Sequence, residues 1–168
     1  MCDRIALLDP AKLGTPFSTV PMERRAPSNR LVIGIGNPLR GDDGVGALLA
    51  EAVGGRSVQQ LTPELAEALA CQQAVLFIDA WLAPAGAAPQ LVEVLPAAAA
   101  LDSHRLEPAQ LLAVCRVLYG SSPRAHLLQV PAHAFAHGMD LSPALAATLP
   151  AARALLQAWL AAASSSDA

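Results

Sequence analysis

Apolar runs that are typical of strands alternate with helical patterns along this chain. Continuous or nearly continuous apolar runs predict strands at residues 30–35, 57–61, 74–78, 91–95 and 125–130. Apolar positions at helical spacing predict helices at residues 45–53, 62–71, 106–119 and 142–162, with a bend in the last at Pro150. Helix and strand therefore follow one another, and the clearest strand, residues 74–78, is apolar throughout.

This alternation predicts a fold of the α/β class. Apolar strands that carry no polar alternation are buried on both faces, so we expect a mostly parallel central sheet covered by helices on each side. In sheets of this kind, ligands bind beyond the carboxyl ends of the strands, where the strand order reverses. The residues that directly follow each strand are therefore the candidates for a functional site.

The two ends of the chain differ from its middle. Residues 1–29 are rich in proline and glycine and have neither helical nor strand periodicity, which predicts a disordered N-terminal extension. The serine-rich residues 164–168 predict a frayed tail. Residues 30–163 are left as one α/β domain.

Composition removes several classes of function. The 11 basic residues against 14 acidic ones give a net charge of −3, which argues against a nucleic-acid partner. The mean hydropathy is +0.40, yet prolines interrupt every apolar run before the ~20 residues of a membrane span, so we expect no membrane partner. The three cysteines have no CxxC spacing, and the start of the chain lacks the order of a secretory signal, so we expect a cytoplasmic protein.

The stretch after the first strand, residues 34–46, reads Gly-Ile-Gly-Asn-Pro-Leu-Arg-Gly-Asp-Asp-Gly-Val-Gly. A dinucleotide-binding loop needs a third glycine where this chain has Leu39, and it does not place two acids where a phosphate binds. We therefore expect no nucleotide cofactor. Asp42 and Asp43 are better suited to a positively charged ligand.

Two further polar residues follow predicted elements at the same edge of the sheet. Asp79 closes the strand at residues 74–78, and His104 precedes the helix at 106–119. Carboxylates and an imidazole converging from separate loops are suited to a divalent ion such as nickel or zinc, while helix capping is the alternative for each of them. Cys71 and Cys115 lie among apolar neighbours, so buried structural thiols are expected there.

Together these motifs resemble the hydrogenase maturation endopeptidases, which remove the C-terminal peptide of a [NiFe]-hydrogenase large-subunit precursor. The resemblance rests on residues 31–46, on residues 75–80 (Val-Leu-Phe-Ile-Asp-Ala), on Ser-His-Arg-Leu at 103–106 and on Gly-Met-Asp-Leu-Ser-Pro at 138–143. It extends over residues 30–162. Where many members have Asp-Gly-Gly-Thr after the second strand, this chain has Gln60-Leu-Thr-Pro-Glu64-Leu.

The resemblance implies a three-layer α/β/α sandwich of the phosphorylase/hydrolase-like type. It also implies an endopeptidase that is classed as aspartic-type or nickel-dependent. By resemblance, Asp43, Asp79 and His104 are the metal-binding and catalytic residues, and the nickel that they recognise is bound in the precursor. Asn37, Arg40 and Asp42 are expected to contact the substrate or to support those that do. The expected partner is the large-subunit precursor, and the expected state is a monomer.

Two other functions remain open from the sequence. The same three residues would also serve a non-catalytic, metal-sensing maturation chaperone, which binds the precursor without cutting it. A nucleotide-dependent oxidoreductase using residues 34–44 is a further alternative, against which the missing glycine argues.

Overall fold

The computed structural model describes residues 29–98 and 106–162. Apart from Asn29, the predicted N-terminal extension lies outside the described residues, and so does the predicted tail at 164–168. The elements in chain order are β1 (Arg30–Ile35), a 3-10 turn (Gly41–Gly44), α1 (Val45–Glu51), β2 (Arg56–Val58), α2 (Leu65–Ala70), β3 (Ala74–Leu82), β4 (Gln90–Val94), α3 (Pro108–Tyr119), β5 (Arg124–Ala132) and α4 (Pro143–Ala161).

The five strands form one sheet in the order β2-β1-β3-β5-β4. The pairs β1–β2, β1–β3 and β3–β5 are parallel, and β4 joins the edge of β5 antiparallel. From β1 the chain moves outward to β2 and then returns to the other side of β1 to form β3. The strand order therefore reverses between β1 and β3, which makes their carboxyl ends the switch point of the sheet.

Helices cover both faces of the sheet, so the predicted three-layer α/β/α sandwich is confirmed. One apolar cluster joins Val32, Leu76 and Leu128 of the strands to residues of α1 and α4. The other joins Ile33 and Phe77 on the opposite face to residues of α2 and α3. Successive residues of a strand point to opposite faces, which is why fully apolar strands are needed to supply two cores.

The helix boundaries follow local sequence signals. Helix α3 begins with a capping box between Glu107 and Gln110, and it ends at Gly120, whose φ of 78° closes the last turn in the left-handed region. Helix α4 begins at Ser142, whose side chain accepts a hydrogen bond from the Leu145 N–H at 3.1 Å.

Helix α4 also has the length and apolar composition of a membrane-crossing helix. In this fold its larger side chains, including Leu145, Leu156 and Trp159, pack against the sheet. Alanines make up most of its exposed positions. The core helix of a folded domain can have the same length and composition, so these two properties by themselves do not identify a membrane-spanning helix.

Candidate active site at the sheet switch point

Asp79 lies at the switch point, but inside its strand and not after it. Strand β3 continues to Leu82 because β5 continues beside it and supplies backbone partners as far as Ala132. The prediction that Asp79 closes the strand was therefore wrong. The pairing of β3 with β1, however, ends at Ile78 opposite Gly34. Asp79 is thus the first residue of β3 beyond the stretch that pairs with β1, and it is half-buried at the crevice that the strand order creates.

Asp43 is held at the end of β1 by the tight turn that follows the strand. Its carboxylate accepts a hydrogen bond from the backbone N–H of Asn37 at 2.9 Å. Gly36 makes this approach possible, since its φ is 128° and any Cβ there would collide with the carbonyl oxygen of Asp43. Asp43 is half-buried and uses one carboxylate oxygen in this bond. The turn therefore fixes the carboxylate without enclosing it.

Helix α1 brings the 3-10 turn close to both strands. Gly46 in its first turn lies against the carbonyl oxygens of Ile35 and Ile78, so closely that no side chain could be added there. Asp43 precedes this contact by three residues, and Asp79 follows Ile78 directly. The glycine at position 46 thus allows the turn that carries Asp43 to pack where the two strands end.

The candidates Asn37 and Arg40 belong to the same turn, where Asn37 is half-buried. The side-chain oxygen of Asn37 accepts the Leu39 N–H at 2.9 Å, and its backbone oxygen accepts the Arg40 N–H at 3.0 Å. Asn37 therefore stabilises the turn through local hydrogen bonds. Arg40 is exposed and lies beside Gly138, whose oxygen accepts the Gly41 N–H at 2.7 Å.

Asp42 is fully buried and occupies a different position from its neighbour Asp43. One oxygen of its carboxylate accepts the backbone N–H groups of His133 and Ala134 at 2.8 and 2.9 Å and the Ser142 hydroxyl at 2.8 Å. The other oxygen accepts the Ser142 N–H at 2.7 Å. These four bonds tie the loop at 133–142 to the 3-10 turn. Because Asp42 is buried, its carboxylate does not contact a docked protein and instead holds this loop against the turn.

The hydrogen bonds of Asp42 also determine its charge. Burial by itself raises the pKa of this carboxyl group, but the bonds from His133, Ser142 and Ala134 outweigh that effect and hold the pKa below its usual value. Asp42 is therefore ionised at neutral pH. The Asp42 carboxylate is buried and hydrogen-bonded within the protein through both oxygens. The Asp43 carboxylate is only half-buried and can still contact a ligand.

Trp81 is a residue of this edge that sequence reasoning did not identify. It lies two residues after Asp79 in β3, so both side chains point to the same face of the sheet. Its Nε1 atom is buried and donates a hydrogen bond to no described residue. Buried donors are usually paired, and each unpaired one costs about 1–3 kcal/mol. No sequence motif marks such a donor, because burial and pairing are set by the fold.

Of the three predicted metal-binding residues, the structure describes Asp43 and Asp79. His104 lies outside the described residues, so the predicted convergence of Asp43, Asp79 and His104 stays a prediction. Among residues 29–98 and 106–162, no three carboxylate, imidazole or thiol groups are gathered closely enough to hold a metal ion.

The two cysteines in the described part of the chain differ in their surroundings. Cys115 is buried as expected, with its Sγ 3.5 Å from the Ala66 carbonyl oxygen, and burial raises the pKa of its thiol. Cys71 is exposed where α2 ends, so the expectation of a buried thiol there was wrong. The helix ends at Ala70, and Cys71 therefore falls beyond its packed face.

The class of fold defined here is a three-layer α/β sandwich with two carboxylates close to the β1/β3 switch point. Solved structures with this fold include [NiFe]-hydrogenase maturation proteases. The hydrogenase maturating endopeptidase HybD from E. coli matches with a TM-score of 0.60 at 19% identity, over 78% of this chain and 91% of that chain. The [NiFe]-hydrogenase maturation protease HycI from Thermococcus kodakarensis KOD1 matches with a TM-score of 0.55 at 21% identity, over 77% and 88%.

A solution structure of an endopeptidase from Escherichia coli matches similarly, with a TM-score of 0.58 at 20% identity over 77% of this chain and 90% of that one. No sequence-family model matches the chain, and no curated protein matches it in sequence. At these identities the likeness establishes a shared fold that extends over nearly the whole of each neighbour.

Proposed function

We propose that this protein is an endopeptidase that removes the C-terminal peptide of a [NiFe]-hydrogenase large-subunit precursor. The observation that carries the proposal is the match of its fold to HybD over 91% of that chain. The positions of Asp43 and Asp79 are consistent with it, because both residues belong to elements at the crevice where folds of this class bind ligands.

In this proposal the nickel ion belongs to the precursor and is part of the substrate. Asp43, Asp79 and His104 contact it, since carboxylate oxygens and imidazole nitrogens are suitable ligands for this divalent ion. The difference between the adjacent residues Asp42 and Asp43 supports the choice of Asp43 as a nickel contact. Asp42 is buried with four hydrogen bonds, whereas Asp43 is half-buried with one oxygen held by Asn37.

The residues around this edge favour a protein as substrate. Leu39 and Met139 are large apolar side chains with 57% and 73% of their surface exposed. Leu39 precedes Arg40 and Met139 follows Gly138, and Arg40 and Gly138 form a backbone bridge, so an exposed cation and two exposed apolar residues belong to the same part of the surface. Such a mixture of arginine and exposed apolar groups is typical of protein-docking surfaces. The polypeptide that carries the scissile bond would bind across it.

Peptide hydrolysis requires a water molecule to add to the carbonyl carbon, after which the C–N bond breaks and the amine leaves with a proton. A carboxylate at this edge can take the proton from the attacking water, and Asp79 is the group that we assign to this step. A divalent ion, when present in the precursor, supplies positive charge that polarises a carbonyl.

The direct test is incubation with a nickel-loaded large-subunit precursor, followed by mass spectrometry of the precursor. Loss of a C-terminal peptide with nickel, and none without it, is the expected result. A stable complex without cleavage would instead identify a metal-sensing chaperone. Binding of NAD without any effect on the precursor would favour the oxidoreductase alternative.

Two substitutions test the site within that assay. His104→Ala and Asp79→Asn are each expected to abolish cleavage while the protein stays folded, which circular dichroism checks. Normal cleavage by either variant would contradict the site assignment. The proposal includes a monomer that acts in the cytoplasm, which size-exclusion chromatography and cell fractionation test.

A further inference from the structure

The opposite edge of the sheet, where the parallel strands begin, contains a cavity of about 340 Å³. Three neighbouring strands contribute one residue each to a single row across it. Arg30 of β1 pairs with Ala74 of β3, and Ala74 pairs with Arg124 of β5. Paired residues of adjacent strands point to the same face, and strands lie about 4.8 Å apart. The two arginines therefore stand on either side of a methyl group, with open space between them.

Arg30 is held in place by α4. Its guanidinium lies 4.7 Å from the centre of the Trp159 ring, and its Nη1 donates to the Trp159 carbonyl oxygen at 2.5 Å. Burial lowers the pKa of Arg30, and the neighbouring charge of Arg124 lowers it further. Two like charges are thus kept close together at a partly desolvated site, an arrangement that an anion would relieve.

His126 adds a third donor to the same cavity. It follows Arg124 by two residues on the same face of β5, and its Nδ1 accepts the Trp159 Nε1–H at 3.2 Å. With Nδ1 acting as acceptor, the ring proton of the neutral imidazole is on Nε2, which leaves that N–H as a donor.

The described lining of the cavity contains no carboxylate. Its remaining walls are apolar, and they are formed by Ala74, Leu91, Trp159, Ala158 of α4 and Ala162 at the end of that helix. The nearest acid in the register of the strands is Glu93, which pairs with His126 and points to the same face of the sheet, but it is exposed and does not line this cavity. The described lining therefore offers two guanidinium groups, of which Arg30 is partly compensated by the Trp159 carbonyl oxygen, and no carboxylate.

We propose that this cavity binds the phosphate group of a small molecule. Arg124 and Arg30 would contact the phosphate oxygens from two sides, with His126 Nε2 as a third donor, because guanidinium groups bind such oxyanions in pairs of parallel hydrogen bonds. The apolar walls would receive a short hydrocarbon or ring portion. This site lies at the opposite end of the strands from Asp79 and does not depend on the proposed protease function.

The test is calorimetric titration of the whole protein with inorganic phosphate at constant ionic strength, together with thermal unfolding in its presence. Saturable binding and a raised Tm are expected for the native chain. Arg124→Gln should weaken binding at least tenfold, and Arg124→Lys should weaken it less, because lysine keeps the charge and loses the planar fork. The matched control is Arg153→Gln, since Arg153 is an exposed arginine of α4 that does not line the cavity.

The stability of Arg124→Gln without phosphate separates this proposal from a structural role. Removing one of two neighbouring cations should leave the Tm unchanged or raise it, and phosphate should then no longer raise it. A variant that is less stable without phosphate and still gains stability from it would overturn the proposal. Absence of phosphate binding by the native chain, or equal binding by Arg124→Gln, would overturn it as well.

Discussion

The two edges of the sheet carry charged groups of opposite sign, and these groups differ in how completely the protein itself pairs them. At the carboxyl edge, Asp42 is fully buried and its charge is satisfied by four hydrogen bonds from the chain itself. At the amino edge, Arg30 and Arg124 stand in one row with no carboxylate in the described lining of their cavity. Charge alone therefore does not distinguish structure from binding.

The distribution of hydrogen-bond partners makes that distinction. A charge that the protein has fully paired holds the fold together, and Asp42 is of this kind. Charged groups that stay partly exposed, such as Asp43 and the pair Arg30 and Arg124, are the ones that can still contact a ligand. This difference in pairing predicts which substitutions change activity and which change stability, and four predictions follow from it.

The largest expected effect follows substitution of Asp79 by asparagine. This change keeps the size of the side chain and removes the base, so cleavage of the nickel-loaded precursor should fall at least about 100-fold. Single-turnover cleavage measures it, and Glu67→Gln on the exposed surface of α2 is the matched control that should cleave normally. Full activity of Asp79→Asn would show that Asp79 is not the base in this reaction.

Asp42→Asn should act mainly through stability. An amide presents an N–H₂ group to the donors that surround this position, so at least one buried bond is lost, at a cost of roughly 2–4 kcal/mol in the free energy of unfolding. Urea unfolding at neutral pH measures this loss. Asp140→Asn changes an exposed acid of the same loop and should alter stability by less than about 0.5 kcal/mol. Equal losses from both variants would contradict the distinction between buried and exposed acids.

Trp81→Phe should test whether the buried N–H of Trp81 stabilises the fold. The phenyl ring keeps most of the packing and deletes the unpaired N–H, so the free energy of unfolding should be unchanged within about 1 kcal/mol. Urea unfolding measures it, and cleavage of the precursor should stay normal because a buried N–H does not reach a docked substrate. A clear loss of stability would show that this N–H has a structural partner instead.

The smallest effect concerns acid pH. The pKa of Asp42 is lower in the folded protein than the usual aspartate value of 3.8, so the contribution of this carboxylate to stability is present above pH 3.8. The contribution is lost as the pH falls below 3.8 through the folded pKa. Urea unfolding between pH 6 and pH 2 should show a steeper loss of stability in the native chain than in Asp42→Asn. Identical slopes would mean that this carboxylate is not the titrating group.

Local sequence signals predicted the elements well. The helix that begins near Leu106 and ends before Gly120 is confirmed as α3, because capping residues and a left-handed glycine act within a few residues of chain. The strand at 74–78 was predicted too short. Its extension to Leu82 depends on a partner strand 50 residues later in the chain, which a local pattern does not contain.

The sequence by itself determined the class of fold and the motif around Asp43, since apolar periodicity and the order of glycines and acids are properties of neighbouring residues. The pattern of charges did not distinguish Asp42 from Asp43, which only the family resemblance assigned to different roles, whereas the fold buries Asp42 and leaves Asp43 half-exposed. Nor did the sequence reveal the row formed by Arg30, Ala74 and Arg124, whose members are distant in the chain. Those distinctions were decided only by the tertiary structure, because burial, strand register and hydrogen-bond pairing arise when remote segments pack together.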